Sequence, residues 1–159
     1  MPITPFHFGP GAALHAIAPN RISFLGFCVA NVMIDVEPLY YMCTQQFPLH
    51  RFFHTYIGAT LIAVMTFALF VAARALANRV WLPDLFGWRE LRSASVVAGA
   101  ALGSYSHIIF DSVMHSDITP LAPFSNANPL LNLIPLTTLH WACVAAGAIG
   151  TAMLFIRKD

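Results

Sequence analysis

Apolar residues gather along this chain into long runs, and polar residues collect at the ends of those runs. A helix needs about 20 consecutive apolar residues to cross a bilayer. Three runs meet that length: 57–77, 94–114 and 134–156. The first carries Arg74 near its end, the second is interrupted by His107 and Asp111, and the third has His140 near its start. A fourth run, 21–36 (RISFLGFCVANVMIDV), reaches roughly 24 Å at about 1.5 Å per residue. Residues 11–18, ahead of it, are helical in propensity but too short to cross, and Pro19 and Asn20 end them. This short N-terminal helix is expected to be re-entrant or interfacial. The predicted fold is all-α: one polytopic membrane domain over residues 1–159, with four transmembrane helices plus that short helix.

Composition supports the membrane reading. Hydrophobic residues make up 58% of the chain and charged residues 9%, where a soluble domain carries about a quarter charged. Mean hydropathy is +0.69. The net charge of +1, without a basic patch or aromatic platform, gives no reason to expect a nucleic-acid partner. Cys28, Cys43 and Cys143 have no spacing that suggests a disulfide framework or a zinc ribbon. The N-terminus lacks the basic start of a cleaved signal peptide.

Arginine and lysine set the expected orientation. Arg74, Arg79, Arg89 and Arg92 flank the loop after the second span. Arg21 precedes the first span, and Arg157 and Lys158 follow the last. Only Arg51 falls in the two remaining loops, 37–56 and 115–133. Both termini are therefore expected in the cytoplasm and those two loops outside. Trp81 and Trp88 would then lie at the inner interface.

That assignment, made from the basic residues alone, sorts the other titratable groups. Asp35, Glu37, Asp111 and Asp117 fall toward the outside, with His50, His54, His107, His115 and His140. His107, Asp111 and His115 follow one another at four-residue steps, which places them on one helix face. A histidine and a carboxylate one turn apart can share a divalent ion, and lone polar groups within a span are costly. His50 and His54 repeat the spacing. Asp35 and Glu37 are two apart, a spacing that suits an unwound helix end, and Pro38 predicts that the helix stops there. Imidazoles and carboxylates without thiolates suit zinc, manganese or iron(II), as one ion or two. Each group also has a plainer reading, as a solvated helix end, a head-group contact or a hydrogen-bonded pair. His7 joins the outer set only if the short helix is re-entrant; His15 does not. Gly99 and Gly103 on the third span, and Gly147 and Ala148 on the last, permit close helix packing.

With these motifs in order, the chain resembles the small bacterial and archaeal inner-membrane proteins known as membrane-bound metal-dependent hydrolases. His7 corresponds to that family's early histidine and DVEP, with Asp35 and Glu37, to its acidic turn. HRFFHT supplies His50, Arg51, His54 and Thr55; HIIFD supplies His107 and Asp111, followed by the proline-rich DITPLAPF. The likeness spans roughly residues 5 to 140. The acidic turn lacks the family's leading proline and has Glu37 for its second aspartate. Tyr56 stands where serine is common, and His115 has no counterpart in the pattern.

The resemblance implies a metal site in the inner membrane and a hydrolytic reaction. The expected metal ligands are Asp35, His54, His107 and Asp111, with His7 and His50 as second choices. Glu37 is the expected general base, and Arg51 the group that holds a phosphate or a developing oxyanion. His115, Asp117 and His140 are supporting or alternative groups. Zinc is the first choice of ion, and the substrate an ester or phosphoester in a lipid-linked or amphiphilic molecule. The alternative is a non-enzymatic accessory subunit of a membrane complex. Membrane lipids are expected neighbours in either case, and a homo-oligomer or a membrane partner is compatible with both.

Overall fold

The computed structural model describes residues 5–77 and 79–157. Its helices are α1 (Phe8–Ile17), α2 (Phe24–Cys43), α3 (Tyr56–Ala77), α4 (Ser93–Met114) and α5 (Leu136–Ile156). Short 3-10 turns lie at Pro5–His7, Phe52–His54 and Leu85–Glu90. Helices α3, α4 and α5 are long and apolar enough to cross a membrane. The 20 residues of α2 span about 30 Å at ~1.5 Å per residue, but this helix carries Asn31, Asp35 and Glu37.

Two features of α2 correct the sequence expectation. The helix starts at Phe24 rather than Arg21, because the Ser23 hydroxyl accepts the Gly26 N–H at 3.1 Å as an N-cap. It also runs through Pro38 to Cys43 instead of stopping. A proline removes one N–H and hence one helical bond. Here its ring is buried, and the Thr44 hydroxyl closes the end by donating to the Tyr40 carbonyl at 2.9 Å. Asp35 and Glu37 therefore stand on different sides of one continuous helix, not in an unwound turn.

The short first helix begins at Phe8, three residues earlier than expected, and lies lengthwise along α5. Gly9 abuts Cys143 and Gly147, Gly150 abuts Ala12 and Ala13, and Arg157 donates to the Ala16 carbonyl. The two helices therefore run in the same direction. His7, just before α1, sits beside His107 and Asp111 of α4. The first described turn thus lies at the site end of the bundle, opposite the Arg157 end. The expected cytoplasmic N-terminus falls on residues 1–4, outside the described residues. The turn that follows them stands with the site, where the re-entrant alternative put His7 and the interfacial one did not. The charge count could not reveal this, because α1 carries no lysine or arginine.

Helix α4 is the centre, packed against both α2 and α3. Its glycines do what their spacing suggested. A Cβ on Gly103 would sit 2.5 Å from the Phe27 carbonyl oxygen, and one on Gly99 would overlap the Ser23 carbonyl. The close α2–α4 approach presses Asn31 and Asp35 against His107. A core of Ala30, Ile34, Ala59, Ile62, Ala100 and Ile108 joins α2, α3 and α4. In contrast, α5 is the least enclosed of the three apolar spans, with Trp141, Ile149 and Phe155 each exposed by 60% or more. Such an outward apolar face suits lipid.

Candidate metal centre

Four of the expected ligands meet at one point. Asp35 comes from α2, His54 from the 3-10 turn before α3, and His107 and Asp111 from successive turns of α4. All four are buried, and one ligand atom from each lies within 4.8 Å of the others. His107 Nε2 is 3.3 Å from Asp35 Oδ1 and 3.2 Å from Asp111 Oδ2; His54 Nε2 is 3.5 Å from the same Asp111 oxygen. These distances exceed the ~2.7–2.9 Å of a charge-assisted hydrogen bond. They match the edge of about 3.4 Å that four ligands make around an ion at ~2.0–2.1 Å. The Nε2 atoms of His54 and His107 are buried and have no hydrogen-bond partner.

The other ring nitrogens explain which way each imidazole faces. His107 Nδ1 lies 3.0 Å from Asn31 Oδ1, and the Asn31 amide nitrogen donates to the Phe27 carbonyl at 2.9 Å, which fixes Oδ1 as the acceptor. His107 therefore carries its proton on Nδ1 and turns the Nε2 lone pair toward two carboxylates. That arrangement is repulsive unless a cation or a second proton lies between them. His54 Nδ1 lies 3.8 Å from Glu37 Oε2, an electrostatic contact longer than a hydrogen bond. His50 Nδ1 bonds Asp117 Oδ1 at 2.9 Å. Three histidines thus have one nitrogen facing an acceptor and the other left over, as metal-ligating histidines usually do. The cluster can coordinate a divalent ion.

Glu37 and Asp117 also hold backbone. Glu37 Oε2 accepts the N–H groups of Arg51 (3.2 Å) and Phe53 (2.9 Å), and Asp117 Oδ2 accepts those of Leu49 (3.1 Å) and His50 (3.2 Å). The loop carrying His50 and His54 is therefore fastened to α2 on one side and to the segment after α4 on the other. Thr55 caps α3 by accepting the Gly58 N–H at 2.9 Å.

His7 is beside the cluster, with Nε2 3.2 Å from Asp111 Oδ1 and Nδ1 3.0 Å from His107 Nδ1. A second set of ligand atoms, from His50, Asp111 and His115, also lies within 4.8 Å of one another. His140 stands apart, its ring stacked on Phe6 at 4.4 Å. The Arg51 guanidinium lies over the Tyr41 ring at 3.7 Å, and its Nε donates to the Pro48 carbonyl. Burial holds His50 and His115 below the ordinary imidazole pKa, with the neighbouring His54 adding to the effect at His50. Burial thus favours the neutral rings, which offer lone pairs. Burial alone would raise Asp117, but the bonds from His50 and from the backbone outweigh it and hold the carboxyl below its usual range.

Comparison with known protein families, characterised proteins and solved structures gives no match for this chain. The likeness to membrane-bound hydrolases rests on its motifs alone.

Sequence reasoning missed Asn31. Its signal was present: Asn31 is the one amide in an apolar run and stands four residues before Asp35, on the same face of α2. Replacing it with alanine should leave His107 Nδ1–H without its acceptor and weaken zinc binding about 10–100-fold. Glu37→Ala should weaken it by a similar factor by freeing the His54 loop, whereas Glu37→Gln, which can still accept the backbone N–H groups, should weaken it less. Competition titration with a chromophoric chelator measures all three; unchanged affinity in Asn31→Ala would show that the amide does not orient the ring.

Proposed function

We propose that this chain is a four-span membrane protein that hydrolyses an ester or phosphoester in a lipid-linked or amphiphilic substrate, using a divalent ion, zinc foremost. The observation that carries the reading is the convergence of Asp35, His54, His107 and Asp111, with lone-pair nitrogens turned inward and the opposite nitrogens of the two imidazoles facing Asn31 and Glu37. In this reading α2 is the fourth span, and its polar residues are tolerated because they face the site instead of lipid.

A bound divalent ion supplies Lewis acidity and, near neutral pH, a nucleophile from water. The chain supplies the rest. Asp35, His54, His107 and Asp111 hold the ion. Asn31 and Glu37 are positioning residues. Glu37 takes this role in place of the general base, since its Oε2 is engaged by the loop that carries His54. Arg51 contributes through its backbone N–H, its guanidinium being held against Tyr41 and the Pro48 carbonyl. A cavity of about 620 Å³, lined by Pro38, Phe47, Leu49, His50, His115 and Asp117, opens beside the site. Its mixed lining suits the polar head of an amphiphile, with Phe47 and Leu49 against the adjoining carbon chain.

The reaction is tested with zinc-loaded, detergent-purified protein on carboxylic ester and phosphoester chromogenic substrates. Wild type should turn over one class, and His107→Ala and Asp111→Asn should lose zinc and at least ~100-fold of the rate, more than loss of an orienting group. Protein that keeps zinc but hydrolyses nothing would favour the accessory-subunit reading, with the ion joining helices only.

The site is proposed to face outward on the positive-inside argument: six of the seven arginines lie at the opposite end of the bundle or in the loops there, Arg51 being the exception. Impermeant thiol labelling of whole cells, in a variant whose three native cysteines are replaced by serine, should mark Asn126→Cys and spare Asp84→Cys. The reverse pattern would put the site in the cytoplasm.

A further inference from the structure

The imidazoles form a ladder. Ring centroids are 4.5 Å apart from His115 to His50, 4.6 Å from His50 to His54, 5.4 Å from His54 to His107 and 4.4 Å from His107 to His7. The ladder begins at the half-buried His115 beside the 620 Å³ cavity and ends in the closed interior. The four-residue cluster accounts for His54 and His107 only. His7 remains at the closed end and His50 and His115 at the open end, and none of the three is needed to hold an ion among Asp35, His54, His107 and Asp111.

Their geometry fits a second ion. One ligand atom each from His50, Asp111 and His115 lies within 4.8 Å of the others. His50 has Nδ1 committed to Asp117 at 2.9 Å, so Nε2 is its free nitrogen. His115 is fixed at the end of α4, its backbone N–H donating to the Asp111 carbonyl at 2.8 Å. Asp111 is common to both sets. A carboxylate has about four lone-pair sites, and paired ions in hydrolytic sites stand ~3.5–4 Å apart, a span one carboxylate can serve.

We infer that His50, Asp111 and His115 form a second divalent-cation site at the mouth of the cavity, with the Asp111 carboxylate shared between the two ions. The inference rests on the metal reading above and extends it. Three protein ligands rather than four leave a position open, as in catalytic rather than structural zinc sites. His50 and His115 both line the cavity, so an ion held there borders the space a substrate would enter. The inner ion is enclosed by four buried ligands and is held more tightly; the mouth ion exchanges more readily. His115 lies outside the motifs that resemble the hydrolase family, so the second site is a property of this chain's own sequence.

Zinc per chain, measured by mass spectrometry on detergent-purified protein after equilibration with buffered free zinc, tests this. Wild type should bind two, His115→Ala one, and His107→Ala should lose the inner ion. Manganese(II) loading gives an independent readout: wild type should show the exchange-coupled paramagnetic resonance of a close ion pair, and His115→Ala an isolated-ion signal. One zinc in wild type, unchanged in His115→Ala, would overturn the mouth site and leave the inner one standing. Two zincs retained in His115→Ala, or manganese signals without coupling in wild type, would overturn the assignment of His115 and the shared carboxylate. No zinc in wild type would overturn the metal reading and this inference together. Should His115→Ala fail to give monodisperse protein, His115→Gln, which keeps the size and removes the imidazole, takes its place with the same expected loss of one zinc.

Discussion

Two carboxylates, Asp35 and Asp111, lie buried inside a bundle whose helices are otherwise built for an apolar setting. A lone ionised group there costs several kcal/mol, and partners must offset that cost. The nearest partners are imidazoles, and the one guanidinium at this end of the chain, that of Arg51, is turned onto Tyr41. Imidazoles alone balance the charge only by taking up protons. His107 already commits its Nδ1 proton to Asn31, and its other nitrogen faces both carboxylates. A divalent ion would balance both charges while leaving the imidazoles neutral, and the need to balance Asp35 and Asp111 organises the rest of the structure.

The packing serves that centre. Gly99 and Gly103 bring α4 against the backbone of α2, close enough for residues on both helices to reach one point. The α2 helix then works on two sides. Asp35 and Asn31 face α4, while Glu37 fastens the backbone of the loop that delivers His54. Asp117 fastens the preceding residues of that loop from the segment after α4. The loop between α2 and α3 carries two histidines without regular secondary structure around His50. It is held in place by carboxylates that each accept two backbone N–H groups.

The apolar runs revealed α3, α4 and α5 to within two residues at each end because each is a long, largely apolar stretch without proline. The boundaries of α2 were less legible. Pro38 was read by its local preference, and only the packed structure shows a buried proline tolerated inside a helix. The depth of α1 was hidden for a different reason: ten residues without lysine, arginine or an acid suit an interfacial helix or a re-entrant one equally well. The site was largely legible, since His107 and Asp111 stood inside an apolar run where polar groups need a reason, and the four-residue spacing gave their common face. Roles were harder to read than membership. Nothing in DVEP says that Asp35 turns toward α4 while Glu37 turns toward a loop, since that depends on the helix continuing. Asn31 went unnoticed because a single amide in a span carries less charge cost than an acid and so attracts less notice.

The central claim is that nitrogen and oxygen ligands from α2, α4 and the intervening loop surround a divalent ion. X-ray absorption at the zinc edge of metal-loaded protein measures that environment directly. The account predicts nitrogen and oxygen scatterers at about 2.0–2.1 Å, with the outer-shell pattern of coordinated imidazole and no sulfur. Sulfur at ~2.3 Å, or a shell of oxygen alone without imidazole, would contradict it.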